Sequence, residues 1–201
     1  MKELLLSTSY FPSLSYCRLL NEYKKATIDL GEHFVKQTHR NRCVILGANG
    51  RLKLIVPTKK RTDYTPVKDV RVSYDMDWQK LHWKSLESAY RSSPYFEYYE
   101  DKLRAIVLDK KETFLIDINL NCFEFIRNVL NLEAEISLSK EYIEEPHDFT
   151  DNRNEDHLKE EPDRAFKSYI QVFSNNIPFQ QNLSCIDLIC NEGPNSINLL
   201  A

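Results

Sequence analysis

Four side chains able to grip an anion fall within seven residues: Lys36, His39, Arg40 and Arg42 lie in K-Q-T-H-R-N-R. Guanidinium groups hold phosphate or carboxylate through two parallel N–H bonds, and an ammonium adds a point charge. If the chain is extended here, Arg40 and Arg42 project on one side of a strand, beside a helical or loop entry bearing Lys36 and His39. They could clamp a phosphoryl or carboxylate group, or they could pair with acids of the chain itself. His39 and Cys43 are base and nucleophile types. Four residues of strand, however, would set them ~13 Å apart, and Cys43 falls on the buried side of a hairpin, so no thiol–imidazole dyad is expected.

Two further groups could work with an anion site. Trp78 and His82 stand at i, i+4 and share a helix face, which makes His82 the proton-transfer candidate and Trp78 a ring that could stack on a ligand. The hydroxyls of Ser7, Thr8 and Ser9 follow the first apolar run. His147, Asp148, Asp151, Asp156 and His157 are metal-ligand types, but their spacing matches no defined coordination geometry, so no metal site is expected. There is no Walker motif, GxGxxG, HExxH or GxSxG, and no cofactor is identified.

The elements that would position these groups read as α/β. ELLLST (3–8) is a buried strand, SYFPS turns the chain, a helix runs from about Ser13 to Tyr23, and KATIDL (25–30) is a second strand. Strand, helix, strand in thirty residues implies a parallel sheet. RCVILGA-NG-RLKLIVP reads as a hairpin turning at Asn49-Gly50, with Ile45 opposite Leu54 and Cys43 opposite Val56. Residues 67–74 are expected as another strand. A helix capped by Asp77 spans Trp78 to about Arg91, with Leu81 on its apolar face. Ser93-Pro94 starts the next helix, a further one covers roughly 111–130, and AEISLS (134–139) is a short strand. SYIQVF (168–173) suits an edge strand or a short helix. Ser184 and Asp187 resemble a capping box for a helix that Gly193-Pro194 ends. The architecture expected is a mostly parallel sheet with a β-hairpin extension and helices on both faces.

Composition agrees with one folded domain over 1–201. With 42 % hydrophobic and 11 % aromatic residues the chain can bury a sizeable core. The net charge of −3 hides an asymmetry: residues 36–71 carry ten Lys or Arg against Asp63 and Asp69, and residues 141–163 carry ten acids against Arg153 and Lys159. The acidic stretch lacks apolar periodicity and is expected as a long, partly mobile loop. Five cysteines, odd in number and without CxxC spacing, favour neither disulfides nor zinc. Leu4–Leu6 is too short for a signal-peptide core, and no run approaches the ~20 apolar residues of a membrane span. A cytoplasmic location without membrane insertion is expected; the oligomeric state is left open.

Taken in order, SYFPSLSY, FVKQTHRNRCVILGANGRLKLIVPTKK, DWQKLHWKSLESAYRSSPYFEYY and FQQNLSCIDLICNEGP resemble the WbqC-like protein family of bacteria, from about Leu4 to Leu200. The resemblance implies functional weight for Lys36, Arg40, Asn41, Arg42, Asn49, Gly50, Trp78, His82, Tyr90, Pro94, Phe96, Ser184, Asp187 and Gly193. Where many members have Gln-Pro before the Tyr-x-Pro turn, this chain has Ser7-Thr8-Ser9. The family's frequent place in loci for surface-polysaccharide synthesis implies a transferase-like enzyme acting on a phosphate-bearing, nucleotide-activated sugar or amino-sugar precursor. On that reading Lys36, Arg40 and Arg42 hold the anion, Trp78 or Tyr90 stacks on a ring, and His82 moves a proton. The rival is a non-catalytic module docking RNA or a protein through the basic 36–71 face. Residues 40–56 lack any aromatic for base stacking, which counts against nucleic acid.

Overall fold

The computed structural model describes residues 2–153, 162 and 164–200. Its centre is β1 (Glu3–Leu6), whose Leu4, Leu5 and Leu6 are wholly buried. A strand apolar on both faces belongs inside a parallel sheet covered on both sides. β1 pairs in parallel with β2 (Lys25–Asp29), and β2 pairs in parallel with β5 (Glu135–Ser139). On its other side β1 pairs with β6 (Phe149–Asp151), giving the order β5-β2-β1-β6. Helices flank the sheet on both faces.

α1 (Leu14–Glu22) crosses from β1 to β2. Its cap is Ser13, whose Oγ accepts from the Tyr16 amide at 3.3 Å. The Ser13 position is itself clasped by residues 182–185. Leu14 N–H bonds the Leu183 carbonyl, Ser15 N–H bonds Asn182 Oδ1, and Cys185 N–H bonds the Pro12 carbonyl. These residues lead into α5 (Cys185–Glu192), which packs against α1, α3 (Phe96–Arg104) and α4 (Leu115–Leu130). α2 (Trp78–Tyr90) lies on the hairpin β3 (Arg42–Gly47) and β4 (Gly50–Ile55). A π-helical turn (Ala105–Asp109) follows α3, and α6 (Ser196–Leu199) closes the described chain.

Several expectations change. The hairpin pairs Ile45 with Leu52 and Cys43 with Leu54, two residues from the expected register. Gly50, not Asn49, takes the positive φ (+105°), so the turn is centred on Ala48-Asn49 with glycine following. A shift of two preserves the faces, and Cys43, Ile45 and Leu54 still point into the core. Residues 67–74 form no ladder strand: they begin as a 3-10 turn (Val67–Asp69) whose amides bond the Glu32 and Leu30 carbonyls, and their β-pairing is limited to isolated bridges, Thr58 to Val72 and Arg71 to Phe114. Asp77 makes no capping bond and instead meets Lys80 at 2.7 Å, while Leu81 faces solvent. Ser93 Oγ bonds the Tyr90 carbonyl, finishing α2 rather than starting α3. Residues 168–173 are neither strand nor helix. The acidic stretch contains β6, which exists only because Leu4 and Leu5 offer it an edge; its part over 154–161 and 163 lies outside the described residues.

Candidate functional site

All four parallel strands end on one side of the sheet, and the strand order reverses at β1, between its outward neighbours β2 and β6. In open α/β sheets ligands settle at the carboxyl ends beside such a reversal. Charge is concentrated there. Asp29, fully buried at the end of β2, accepts from the amides of Gly31 and Glu32 through Oδ1 and from Arg153 Nη1 at 2.6 Å through Oδ2. Arg153 also grips Asp151 at the end of β6, Nε to Oδ1 at 3.0 Å and Nη2 to Oδ2 at 2.7 Å. A methyl group on Gly31 would lie 2.2 Å from the Tyr142 amide nitrogen, so only glycine lets residues 141–142 cross the end of β2. The hydrogen bonds from Arg153 hold the Asp151 carboxyl below its usual range.

Arg40 belongs to this cluster, and it is satisfied from inside. It sits in a 3-10 turn (His39–Asn41), not in extended chain, and that turn rotates its side chain inward. Its Nε donates to Glu32 Oε1 at 2.8 Å, and Nη2 to Glu32 Oε2 and to the Arg153 carbonyl. Burial pushes the Glu32 carboxyl up, against the pull of the Arg40 bonds. Arg40 and Arg42 therefore do not form a common clamp. Lys36 is exposed and paired with exposed Asp63 at 3.1 Å. His39 is buried. Asn41 Nδ2 holds the Val56 carbonyl at 2.9 Å, which ties the start of the hairpin to its end.

Arg42 is different. It is half-buried, its Nε is shielded from solvent, and among the described residues that atom has no hydrogen-bond partner and the side chain no carboxylate. The three fully buried arginines are all satisfied: Arg40 and Arg153 by carboxylates, Arg18 by the carbonyls of Leu200, Arg164 and Ala165. Burial alone pulls the Arg42 guanidinium below its ordinary range. The loop after β1 is tied to the chain on either side of it. Tyr10 N–H bonds the His39 carbonyl at 2.9 Å, while Ser184 links the Phe11 carbonyl (through Oγ) to the Val44 carbonyl (through its amide). These contacts bracket Arg42 from both sides in sequence. The same loop carries Ser7, Thr8 and Ser9, all nearly buried, and Ser9 Oγ has no partner among the described residues.

The backbone here is also strained. Phe11 has φ +43° and Gln37 φ +64°. Positive φ in a bulky aromatic costs on the order of 1–3 kcal/mol, and such outliers gather at working sites. The 182–185 clasp holds the Phe11 turn in place, which gives Ser184 a concrete positioning role.

The aromatic and imidazole candidates lie inside. His82 is 2 % exposed. Its Nδ1 accepts from Tyr10 Oη at 3.0 Å, the Ile55 carbonyl is bonded to the ring, and burial lowers its pKa to about 4. It stands beneath the loop after β1, as support for Tyr10, rather than facing a cleft. Trp78 is buried edge-on to His82 with its indole N–H on the Ser73 carbonyl, so it offers no free stacking face. Tyr90 is wholly buried, 3.4 Å from the Leu46 amide. Asp187 does not complete a capping box: Ser184 Oγ accepts from the Ile186 amide, and the Asp187 carboxyl accepts from Tyr169 Oη (2.6 Å) and Gln171 Nε2 (2.9 Å). Burial raises its pKa, with Tyr169, Gln171 and Tyr90 opposing.

Sequence reasoning missed Asp29, Glu32 and Arg153. The signal was the D-L-G-E run at the end of β2, where a parallel strand's carboxyl end collects polar groups. Among the described residues no group of three His, Cys, Asp or Glu could hold a metal. His147 stands 3.4 Å from Glu145, Asp151 is taken by Arg153, and Asp156 and His157 lie outside the described residues. No helix among the described residues is long and apolar enough to cross a membrane.

Comparison with known proteins gives the following. The model of the WbqC-like protein family matches residues 8–161. The uncharacterized protein Rv1507c of Mycobacterium tuberculosis (strain ATCC 25618 / H37Rv) is 25 % identical over 142 residues, which cover 70 % of this chain and 61 % of that protein. The chain thus spans less than two thirds of that relative's length. No solved structure matches it.

Proposed function

The chain belongs to the WbqC-like protein family, and from that premise we propose a transferase-type enzyme of bacterial surface-polysaccharide synthesis. Its substrate is a phosphate-bearing, nucleotide-activated sugar or amino-sugar precursor, bound at the carboxyl edge of the parallel sheet. One observation carries this reading: Arg42 is a half-buried guanidinium without an acceptor among the described residues, on a strand start tied through His39 and Val44 to the strained loop whose Ser9 hydroxyl has no partner among those residues. A half-buried guanidinium left without an acceptor gains most from an anion that a ligand supplies. Arg42 grips the phosphate, and Ser9 donates its hydroxyl to it. His82 acts through Tyr10 as a positioning residue for that loop, since a buried imidazole titrating near 4 carries no proton to give at neutral pH.

The test is titration of nucleoside-diphosphate sugars, followed by calorimetry, against the wild type, Arg42→Ala and Ser9→Ala. Wild-type binding should fall at least about tenfold in Arg42→Ala, the order expected for losing a charge-assisted bidentate contact. Retention of affinity by that variant, or a salt-sensitive RNA complex in place of any phosphate ligand, replaces the enzyme reading with the docking module.

A further inference from the structure

A cavity lies away from the sheet edge, between α3 with its π-helical turn and the C-terminal half of α4. It encloses about 560 Å³, within the roughly 300–1,000 Å³ usual for small-molecule sites. The π turn at Ala105–Asp109 follows α3 directly and contributes Ala105 and Ile106 to the wall. Such turns recur at functional sites.

The lining decides the ligand. Tyr99 and Phe125, buried and edge-to-face at 6.1 Å, form an apolar floor. Tyr98 stands at the side, 81 % exposed, with its ring free to receive a ligand face. Three carboxamides, Asn121, Asn128 and Asn131, surround this aromatic corner. Among the described residues, Asn128 and Asn131 make no side-chain hydrogen bond to a neighbouring element, and Asn121 uses only its NH₂, toward Glu112 at 3.3 Å. The two ionisable side chains, Lys102 and Glu124, have opposite charge, so the lining is neutral as a whole.

Each carboxamide offers a donor and an acceptor, the pair that neighbouring hydroxyls of a polyol require. The negative face of a tyrosine ring suits the polarised C–H face of a saccharide. A purely apolar ligand would leave the carboxamides dry and unpaired, and a phosphate would find no net positive charge. We propose that this groove is a carbohydrate-binding site for a neutral pyranose, free or as a residue of a short glycan. It is separate from the sheet-edge site and does not depend on it.

Saturation-transfer NMR on the full chain, with neutral hexoses, N-acetylhexosamines and their short oligomers, tests the proposal. At least one class should bind. Tyr98→Ala should weaken it tenfold or more and Asn128→Leu threefold or more, without a change in melting temperature, because both side chains are exposed. Arg42→Ala should leave it untouched. Absence of saccharide binding at millimolar concentration, affinity that survives Tyr98→Ala, or preference for an alkyl amphiphile overturns it. If saccharides bind here while nucleoside-diphosphate sugars bind nowhere, the sheet-edge reading falls and this one stands.

Discussion

At the strand ends, Asp29, Glu32 and Asp151 are met by Arg40 and Arg153. On the helical side, among the described residues, fully buried Asp187 is met by the neutral side chains of Tyr169 and Gln171, with Tyr90 also opposing its rise in pKa, and His82 by Tyr10 and a backbone carbonyl. Both regions pin a distant piece of chain to the core. The first joins the ends of β2 and β6 and the 39–41 turn; the second joins the 169–171 segment to α5 and α2 to the loop after β1. The difference lies in how ionisation is handled. In the first region arginines oppose burial, holding Asp151 down though not outweighing burial at Glu32, whereas neutral donors leave burial to push the Asp187 carboxyl up and the His82 imidazole down. Mutation and acid should therefore act on the two regions in different ways.

The largest effect is expected at Arg40. Arg40→Met removes the cation from Glu32 and leaves a buried carboxylate uncompensated, which costs about 3–5 kcal/mol. Adding Glu32→Leu should restore most of that loss, because an apolar pair of similar volume replaces the whole ion pair. Urea unfolding of both variants measures it. A single-variant cost below about 1 kcal/mol would show that Glu32 is readily protonated, and the contrast between the two regions would dissolve.

Acid comes next. His82 is neutral in the fold down to about pH 4, while in the unfolded chain it takes up a proton near 6.5. Between those values the unfolded state binds the extra proton, so stability falls as pH drops from about 6.5 to 4, by about 3 kcal/mol in all. His82→Gln keeps an acceptor for Tyr10 and should remove that slope. Equal slopes in the variant and the wild type would assign the acid sensitivity to the ion-paired region instead.

How much of this could be read in the chain follows the same divide. β1, β2 and β5 are short apolar or β-rich runs, and the hairpin has its own turn residues; local chemistry sufficed for these. β6 (Phe-Thr-Asp) has no strand character of its own and forms because β1 has a free edge. Arg40 and Arg42 alternate in sequence and looked equivalent. A single 3-10 turn, invisible to a period-two pattern, sends Arg40 to Glu32 and leaves Arg42 in the strand. Trp78 and His82 were legible as one helix face but not as buried, since an amphipathic stripe fits a core as well as a cleft. Asp187 sits where a capping box would place an acid. Only the return of residues 169–171 to α5 shows that its partners are elsewhere.

A smaller change should separate a buried acid from a buried ion. Asp187→Asn keeps a carboxamide oxygen for Tyr169 and Gln171 and loses a charge that the site disfavours, so it should cost about 1 kcal/mol or less. Asp187→Leu should cost about 1–3 kcal/mol by stranding both donors. Because the folded pKa is raised, the wild type should lose stability as pH rises above about 4, the ordinary carboxyl range, and Asp187→Asn should not. A drop for Asp187→Asn as large as that for Arg40→Met would mean that the carboxylate is held ionised after all.

The smallest effect on folding is expected at Arg42, and it is the most informative. If its guanidinium answered to the fold, as Arg40 does, truncation would expose an unpaired partner. The described residues include none, so Arg42→Ala should change stability by no more than about 0.5 kcal/mol, the usual range for a side chain outside any internal network. Any change should be toward a gain, because a half-buried cation without an acceptor opposes folding. Near-neutral stability with lost ligand binding would place the residue among those a fold carries for its function rather than for itself. Thermal unfolding of Arg42→Ala beside Arg40→Ala decides this. Two drops of similar size would mean that both arginines serve the architecture, and that neither waits for an anion from outside.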